Sequence, residues 1–488
     1  MNQMTESYDI AVIGAGVVGS AIARELSAYQ LKILLLEKEC DVALGTSGRN
    51  SGVSHAGFYV PTGTLKAELN IKGHEMMPAL CRELGVPHHE VGKIVVAKDE
   101  DEREYLYELK ETGEKNGSKS LRIIGKDEIK ELEPNIRGIE ALHSPKTAIL
   151  DPFILNIALA ENAQKNGVVI RLNTEVSDIE SNGGFKIKTN RGVFAAGIVV
   201  NSAGLHSDKV AAMAGIEGYE IYPCRGEYHL LDKSKRGLIN GAVYPVPPKE
   251  LGGLGIHLTP TTDGNIMLGP SAEYIEDADN TANTSEVMDK LFMESFEFLP
   301  RISRKDIIRS FSGVRPKLIA AGSKAPADFV VEESRKVPGF INLIGIESPG
   351  LTAAPAIAKK VAGIVKEIRE LKPNPVFDPI RRPQLRFGEL SDREKSDLIK
   401  KNPNYGMVVC RCQTITKQEV IDAINNPLCA TSIYGISKRC KATHGRCQGG
   451  FCTPKIVEIL EQLCAASPND INLKGAGSEL FKGKRGTP

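Results

Sequence analysis

An apolar run, Tyr8-Asp9-Ile10-Ala11-Val12-Ile13, leads into Gly14-Ala15-Gly16-Val17-Val18-Gly19 and then into a helical stretch, SAIARELSAYQ. A second apolar run, KILLLEK, follows and carries an acid, Glu37, near its end. The order strand, glycine turn, helix, strand is a unit of about 30 residues that specifies a parallel α/β sheet. The glycines Gly14, Gly16 and Gly19 permit a tight turn and let backbone N–H groups approach a pyrophosphate at the positive end of the helix. Glu37 is placed to accept hydrogen bonds from an adenosine ribose, and it would repel a 2′-phosphate. The bland alternative, a glycine-rich turn without a ligand, leaves the acid at the end of the second strand unexplained.

At 488 residues the chain is too long for one ordinary domain. Strand patterns recur at 93–98, 167–172, 185–190 and 197–204 and in FINLIG. Amphipathic helical patterns cover 64–84, 101–116, 151–166 and 285–298, and a further helix is expected at 352–370. The stretch 371–405, beginning LKPNPVFDPIRRPQLRF, is rich in proline and charge and reads as a linker. Regular patterning resumes over 406–466, and 467–488 is a Gly/Lys-rich tail expected to fray or drape on a neighbour. A formal net charge of +1 gives no reason to expect nucleic acid as a partner. No apolar run approaches the roughly 18 residues that span a bilayer, and the N-terminus lacks a basic n-region. The ten cysteines are therefore expected as thiols or metal ligands in the cytoplasm rather than as disulfides.

Three further segments suggest which dinucleotide is bound. Residues 45–57, GTSGRNSGVSHAG, form a polar, glycine-rich loop where a nicotinamide-binding fold would continue with an ordinary helix. VVNSAGLHS (199–207) is a strand running into another glycine turn, and GIESPGLT (345–352) precedes a helix. The N-terminus of that helix can place its dipole where negative charge develops on a reduced flavin. These stretches resemble the flavoprotein superfamily of D-amino-acid oxidase, glycerol-3-phosphate dehydrogenase and L-2-hydroxyglutarate dehydrogenase. The likeness covers about 1–370. SGRNSGVSHAGFYVPTGTLKAE and GIESPGLTAAPAIA look most like the L-2-hydroxyglutarate branch, and SGRNSG is similar to the glycerol-3-phosphate branch as well.

The resemblance implies an α/β chain with a discontinuous Rossmann-like FAD-binding domain (1–85, 150–215, 335–370) and an antiparallel-sheet substrate domain (86–149, 216–334). By the same likeness Val176 lies near the adenine, and Thr46, Ser47, Arg49, Asn50 and Ser51 line the diphosphate and flavin. Ala203, Gly204, Gly345, Gly350, Leu351 and Thr352 complete the expected FAD site.

Dehydrogenation at a CH–OH carbon needs a base, cations for an anionic substrate and a hydride acceptor. His55 and His257 are the candidate bases, since imidazole titrates near neutrality; either could instead be a hydrogen-bonded core histidine. Arg315, in FSGVRPKL, is the best anchor, because a comparable arginine before proline clamps a carboxylate or phosphate in the relatives. Lys317, two residues on, would share its face. Arg225 is a weaker second anchor, as is Arg49, and either could be a surface charge.

Near the C-terminus, Cys410 and Cys412 in CRC precede Cys447 and Cys452 in CQGGFC by 34 residues. Two thiolate pairs suit zinc or an iron–sulfur cluster. The segment CRCQTITKQEVIDAIN…GISKRCKATHGRCQGGFC resembles the bacterioferritin-associated ferredoxin-like [2Fe–2S] domain, here small and mainly helical, and in particular the version fused to glycerol-3-phosphate dehydrogenases. Cys440 is expected not to be a ligand. Lys438, Arg439, Lys441 and Arg446 read either as a solvated basic loop or as charges that offset the cluster. Cys40, Cys81, Cys224, Cys429 and Cys464 read as buried small apolar residues.

The expected function is an FAD-dependent dehydrogenase of a small anionic substrate, first glycerol 3-phosphate. Electrons would pass through the [2Fe–2S] cluster to a partner, such as a second flavoprotein subunit with an NAD(H) site, in an oligomeric assembly. L-2-hydroxyglutarate dehydrogenase, an amine or amino-acid dehydrogenase and a non-catalytic electron-relay subunit are the alternatives.

Overall fold

The structure is a computed structural model and describes residues 6–246, 255–320, 322–323, 328–429 and 431–481. The strand Glu6–Ile13 sits at the centre of an eight-stranded sheet, parallel to Ile33–Leu36 on one side and to Gly192–Asn201 on the other. Val169–Arg171 and Phe340–Ile344 extend the parallel part. Ile33–Leu36 and Phe340–Ile344 are buried at every position and apolar at all but Asn342, as strands covered on both faces must be. A hairpin of Val176–Ser181 and Phe185–Thr189 adds antiparallel strands at one edge.

Helices Val17–Leu26, Leu65–Leu84, Pro152–Lys165 and Gly350–Ile368 gather on one core with this sheet. Two glycines permit their close approach. A Cβ on Gly19 would lie 1.9 Å from the Gly14 carbonyl oxygen, and one on Gly73 would lie 2.1 Å from the Thr352 carbonyl oxygen. Gly19→Ala is therefore expected to cost about 2 kcal/mol through overpacking and to lower the bound flavin per chain, measured by thermal unfolding and absorbance.

The second sheet has nine strands. Its longest pairing joins Tyr222–Leu231 to Ile307–Lys317 antiparallel, which puts Arg315 opposite Cys224 and Lys317 opposite Tyr222. The sheet is antiparallel except at one seam, where Ala242–Pro245 runs parallel to Lys93–Ala97. These two strands belong to separate visits of the chain to this sheet, so no hairpin dictates their direction.

The stretch 371–405, expected as a linker, lies between the two units and is packed along much of its length. It lies against the first domain: Pro373 bridges Tyr29, Arg381 Nε donates to Glu161 at 2.6 Å, and the Asp378 N–H donates to Asn166. It also carries a helix, Asp392–Lys401, opened by a Ser391/Glu394 capping box. Gln384 and the Phe387 N–H then bond Glu419 of the last domain. Prolines fix the backbone without needing ladder partners, and the polar groups between them find partners on neighbouring elements.

That last domain packs Lys417–Ile424, Ile433–Cys440 and Thr453–Cys464 around its own apolar core. The tail drapes rather than frays as far as 481: Lys474 O accepts from Cys40 Sγ, and Asn472 O accepts from the Ile433 N–H. The rest of the tail lies outside the described residues, as does the start of GLGIHLTP.

Candidate active site

One cavity of about 2720 Å3 runs between the two sheets. Binding sites for a single small molecule usually occupy roughly 300–1,000 Å3, so there is room for a dinucleotide and a substrate together. Its first wall is the glycine turn. Gly14 holds φ +96°, which L residues avoid, and Gly16 leaves the N-terminus of Val17–Leu26 without a side-chain cap of its own. Ser47 Oγ supplies an acceptor there, taking the Val17 N–H at 2.9 Å. Glu37 accepts from the Ala15 N–H at 2.7 Å and the Glu39 N–H at 3.0 Å, and burial raises its carboxyl above the usual range. Val176 lines the same end. A helix N-terminus whose N-cap is a glycine, glycines along the wall and a carboxylate at the strand end fit FAD.

Thr46, Ser47, Arg49, Asn50, Ser51, Ala203, Gly204, Gly350 and Leu351 also line this cavity. Three residues of the expected cofactor set do not line it. Gly19 faces Gly14, Gly345 makes a turn at φ +70°, and Thr352 is buried behind the wall. Thr352 Oγ1 accepts the His55 N–H at 3.0 Å and donates to Val53 O, so it ties the His55 loop to the helix that begins at Gly350. Arg49 Nη1 donates to Ser312 O and so clamps its loop to the second sheet, while Nε donates to Leu44 O within the loop.

His55, His257, Arg315 and Lys317 line the same cavity. His55 is buried, and burial first, then the Lys93 charge, holds its imidazole well below the ordinary value. His257 stacks on Tyr244 with ring centres 3.8 Å apart. Arg315 Nη2 donates to Ser271 O at 3.0 Å and Nε to Cys224 O at 3.4 Å, which fixes the guanidinium against the wall. Lys317 shares its carboxylate, Glu347, with Lys66: Glu347 lies 3.9 Å from Lys317 and 3.0 Å from Lys66. Arg225 is committed to Glu273 and Glu227 and is not a second substrate anchor.

Sequence reasoning missed Lys93. It is 2% exposed, its ammonium lies over the Phe58, Tyr59 and Tyr244 rings, and Nζ is 3.5 Å from His55 Nδ1. Burial brings its ammonium down to about 7. A lysine opening an apolar strand, KIVVA, reads as a solvated strand end, and nothing local marks it otherwise. Glu347 and Lys66 were passed over for the same reason.

In the last domain the four thiols come as two pairs. Cys412 and Cys447 are 3.7 Å apart, and Cys410 and Cys452 share a hydrogen bond and are both buried. That bond, followed by the N–H groups of Thr443, Gln413 and Cys412, brings the Cys410 thiol down to about 6, while Cys452 moves up. Cys447 is lowered chiefly by the Phe451 N–H. Two pairs receiving backbone N–H groups suit an iron–sulfur cluster held by four thiolates. Cys440 is buried apart, its Sγ donating to Ile436 O. Cys81 and Cys224 are buried as expected, whereas Cys429 and Cys464 are exposed and Cys40 half-buried.

The basic residues here are neither a solvated loop nor simple neighbours of the sulfurs. Arg439 donates to both oxygens of Asp41, at 2.5 and 3.0 Å, with both side chains 3% exposed. Lys441 pairs with Asp151 and Asp263. Only Arg446 of the four remains exposed. The acids that pair with Arg439 and Lys441 lie far away in the sequence, on the first two domains.

Among the described residues no helix is long and apolar enough to cross a membrane. The FAD dependent oxidoreductase family model matches residues 9–364, and the BFD-like [2Fe-2S] binding domain model matches 408–462. A glycerol 3-phosphate dehydrogenase of Caloramator mitchellensis is 40% identical over 98% of both chains. The mitochondrial L-2-hydroxyglutarate dehydrogenase of Arabidopsis thaliana is 34% identical over 73% of this chain and 83% of its own. The structure of L-alpha-glycerophosphate oxidase from Mycoplasma pneumoniae, with FAD bound, superposes with a TM-score of 0.73 at 30% identity, covering 78% of this chain and all of that one. The chain thus belongs to the FAD dependent oxidoreductase family, as an FAD-dependent dehydrogenase that carries a C-terminal BFD-like [2Fe–2S] domain.

Proposed function

We propose that this enzyme oxidises glycerol 3-phosphate to dihydroxyacetone phosphate and passes the electrons through its cluster to a partner protein. The observation that carries the reading is the convergence of a buried imidazole, His55, and a wall-fixed guanidinium, Arg315, on the cavity that the glycine turn opens. The choice of a phosphate over a dicarboxylate rests on the relative from Caloramator mitchellensis, which matches this chain over its whole length, cysteine domain included.

FAD, when bound, supplies the hydride acceptor. Arg315 takes the phosphate through Nη1, its Nε and Nη2 being held by the wall, and Lys317 adds charge from the same strand face. His55 removes the hydroxyl proton. With Lys93 neutral, its Nζ accepts from His55 Nδ1–H, which leaves Nε2 as the basic atom. With Lys93 charged, an imidazolium beside it is disfavoured. Only the neutral amine orients His55 with Nε2 free as the base, so kcat/KM is expected to rise with pH through about 7, the value to which burial brings Lys93, and to level off above it. His257 and Tyr244 line the same cavity as a stacked pair.

The partner is a second flavoprotein subunit with an NAD(H) site, or another one-electron carrier, in an oligomeric complex. A cytoplasmic setting is supported by ten cysteines that form no disulfide.

The test is anaerobic flavin bleaching with glycerol 3-phosphate, L-2-hydroxyglutarate and proline. Glycerol 3-phosphate is expected to bleach with the highest kcat/KM, and Arg315→Gln to raise its KM roughly 10- to 100-fold. Faster bleaching by L-2-hydroxyglutarate contradicts the substrate assignment, and bleaching by none of the three contradicts the enzymatic reading of the cavity.

A further inference from the structure

A second cavity, of about 140 Å3, lies where the three domains meet. Arg49, Asn50 and Ser51 of the flavin-side loop form one wall, and they separate it from the large cavity, which they also line. Arg309 and Asn265 come from the second sheet, and Lys438, Lys441 and His444 from the last domain.

Its charge is unbalanced. The wall holds two carboxylates, Asp151 and Asp263, and both face Lys441. Arg49, Lys233, Arg309, Lys438 and Lys474 also line it, and none has a carboxylate within ion-pair distance among the described residues. Three of them meet only neutral oxygens: Lys233 donates to Gln413 Oε1 at 2.7 Å, Arg309 to Gln448 Oε1 at 3.3 Å, and Arg49 to two carbonyls.

Lys438 is the extreme case. It is 7% exposed, its ammonium sits 3.5 Å from the centre of the Phe153 ring and 4.5 Å from that of Tyr434, and no oxygen accepts from it among the described residues. Ring faces attract a cation, but they do not replace the hydration that a buried ammonium loses. Left alone, such a group gives up its proton, and burial with Arg309 and Lys441 nearby does push Lys438 well below the ordinary lysine value. A row of cations around a partly open space, one of them without an oxygen acceptor among the described residues, is the arrangement that an anion completes.

We propose that this cavity binds a small oxyanion of phosphate size, which pairs with Lys438 and Arg309 and joins the flavin-side loop to the last domain. Against a liquid water's share of roughly 30 Å3, the space holds a group of about four or five water volumes. A phosphate fits that size and a nucleotide does not. Tetrahedral oxygens suit the mixture of ammonium and guanidinium donors. The site is separate from the substrate cavity and does not depend on which substrate that cavity takes.

The test uses the full chain loaded with FAD and iron, exchanged into chloride buffer of fixed ionic strength and titrated calorimetrically with inorganic phosphate. An Arg315→Gln background removes the anchor of the substrate cavity. In that background one saturable phosphate site per chain is expected. Lys438→Met is expected to weaken it about ten-fold or more. Arg309→Gln, a half-buried position whose change leaves the core intact, is expected to act in the same direction. No saturable binding in the Arg315→Gln protein overturns the proposal, as does binding that neither Lys438→Met nor Arg309→Gln weakens.

Discussion

His55→Asn is expected to lower kcat by about 10²- to 10⁴-fold, the usual contribution of a general base, while flavin content and the melting temperature stay near those of the parent. The expectation follows from how His55 is held. Its backbone N–H is fixed by Thr352 at the start of the helix Gly350–Ile368, its ring meets the edge of Tyr59 at 5.0 Å, and its Nδ1 faces Lys93. Asn keeps a polar group in the loop but cannot take a proton. Loss in kcat with little change in KM is the signature of a group used in the transition state. Anaerobic single-turnover bleaching separates this from a binding defect. His257→Asn serves as the comparison, because its ring is occupied by the parallel stack on Tyr244. A larger loss in His257→Asn than in His55→Asn would exchange the roles of the two histidines.

Arg439→Met is expected to destabilise the docked last domain by about 3–5 kcal/mol, because it leaves Asp41 as an unpaired buried charge. Asp41 is 2% exposed and takes two guanidinium bonds. Arg381 meets Arg439 at a common carboxylate, Glu161, so the strap 371–405 and the last domain share one ionic anchor on the first. The expected results are a separate low-temperature transition in calorimetry and faster proteolysis within the strap. The double variant Arg439→Met/Asp41→Leu is expected to recover much of the loss, since removing both charges costs less than removing one. A single unshifted transition in Arg439→Met would mean that this ion pair does not hold the domains together.

These two cases mark what the amino-acid sequence reveals and what it hides. The turn from Gly14 to Gly19, the acid at Glu37 and the two thiol pairs are legible because each is a local device whose spacing carries its chemistry. The helices Leu65–Leu84 and Ser285–Phe298 are legible because their apolar period exposes a buried face. Lys93 is not legible, since its environment is made by Phe58, Tyr59 and Tyr244 arriving from two other segments. The docking charges are hidden for the same reason: 398 residues separate Arg439 from Asp41, and no local pattern pairs them. Proline and charge made 371–405 look like a tether, because composition reports a lack of regular structure and says nothing about the partners that irregular backbone finds.

The central claim is that a hydride acceptor and a thiolate-held iron pair operate in series within one docked chain. Anaerobic rapid mixing of the FAD- and iron-loaded protein with glycerol 3-phosphate, followed at flavin and cluster wavelengths, tests it most directly. The account predicts flavin bleaching first, then cluster reduction at a rate independent of protein concentration. A cluster that stays oxidised beside fully reduced flavin, or one whose reduction rate scales with protein concentration, would contradict it.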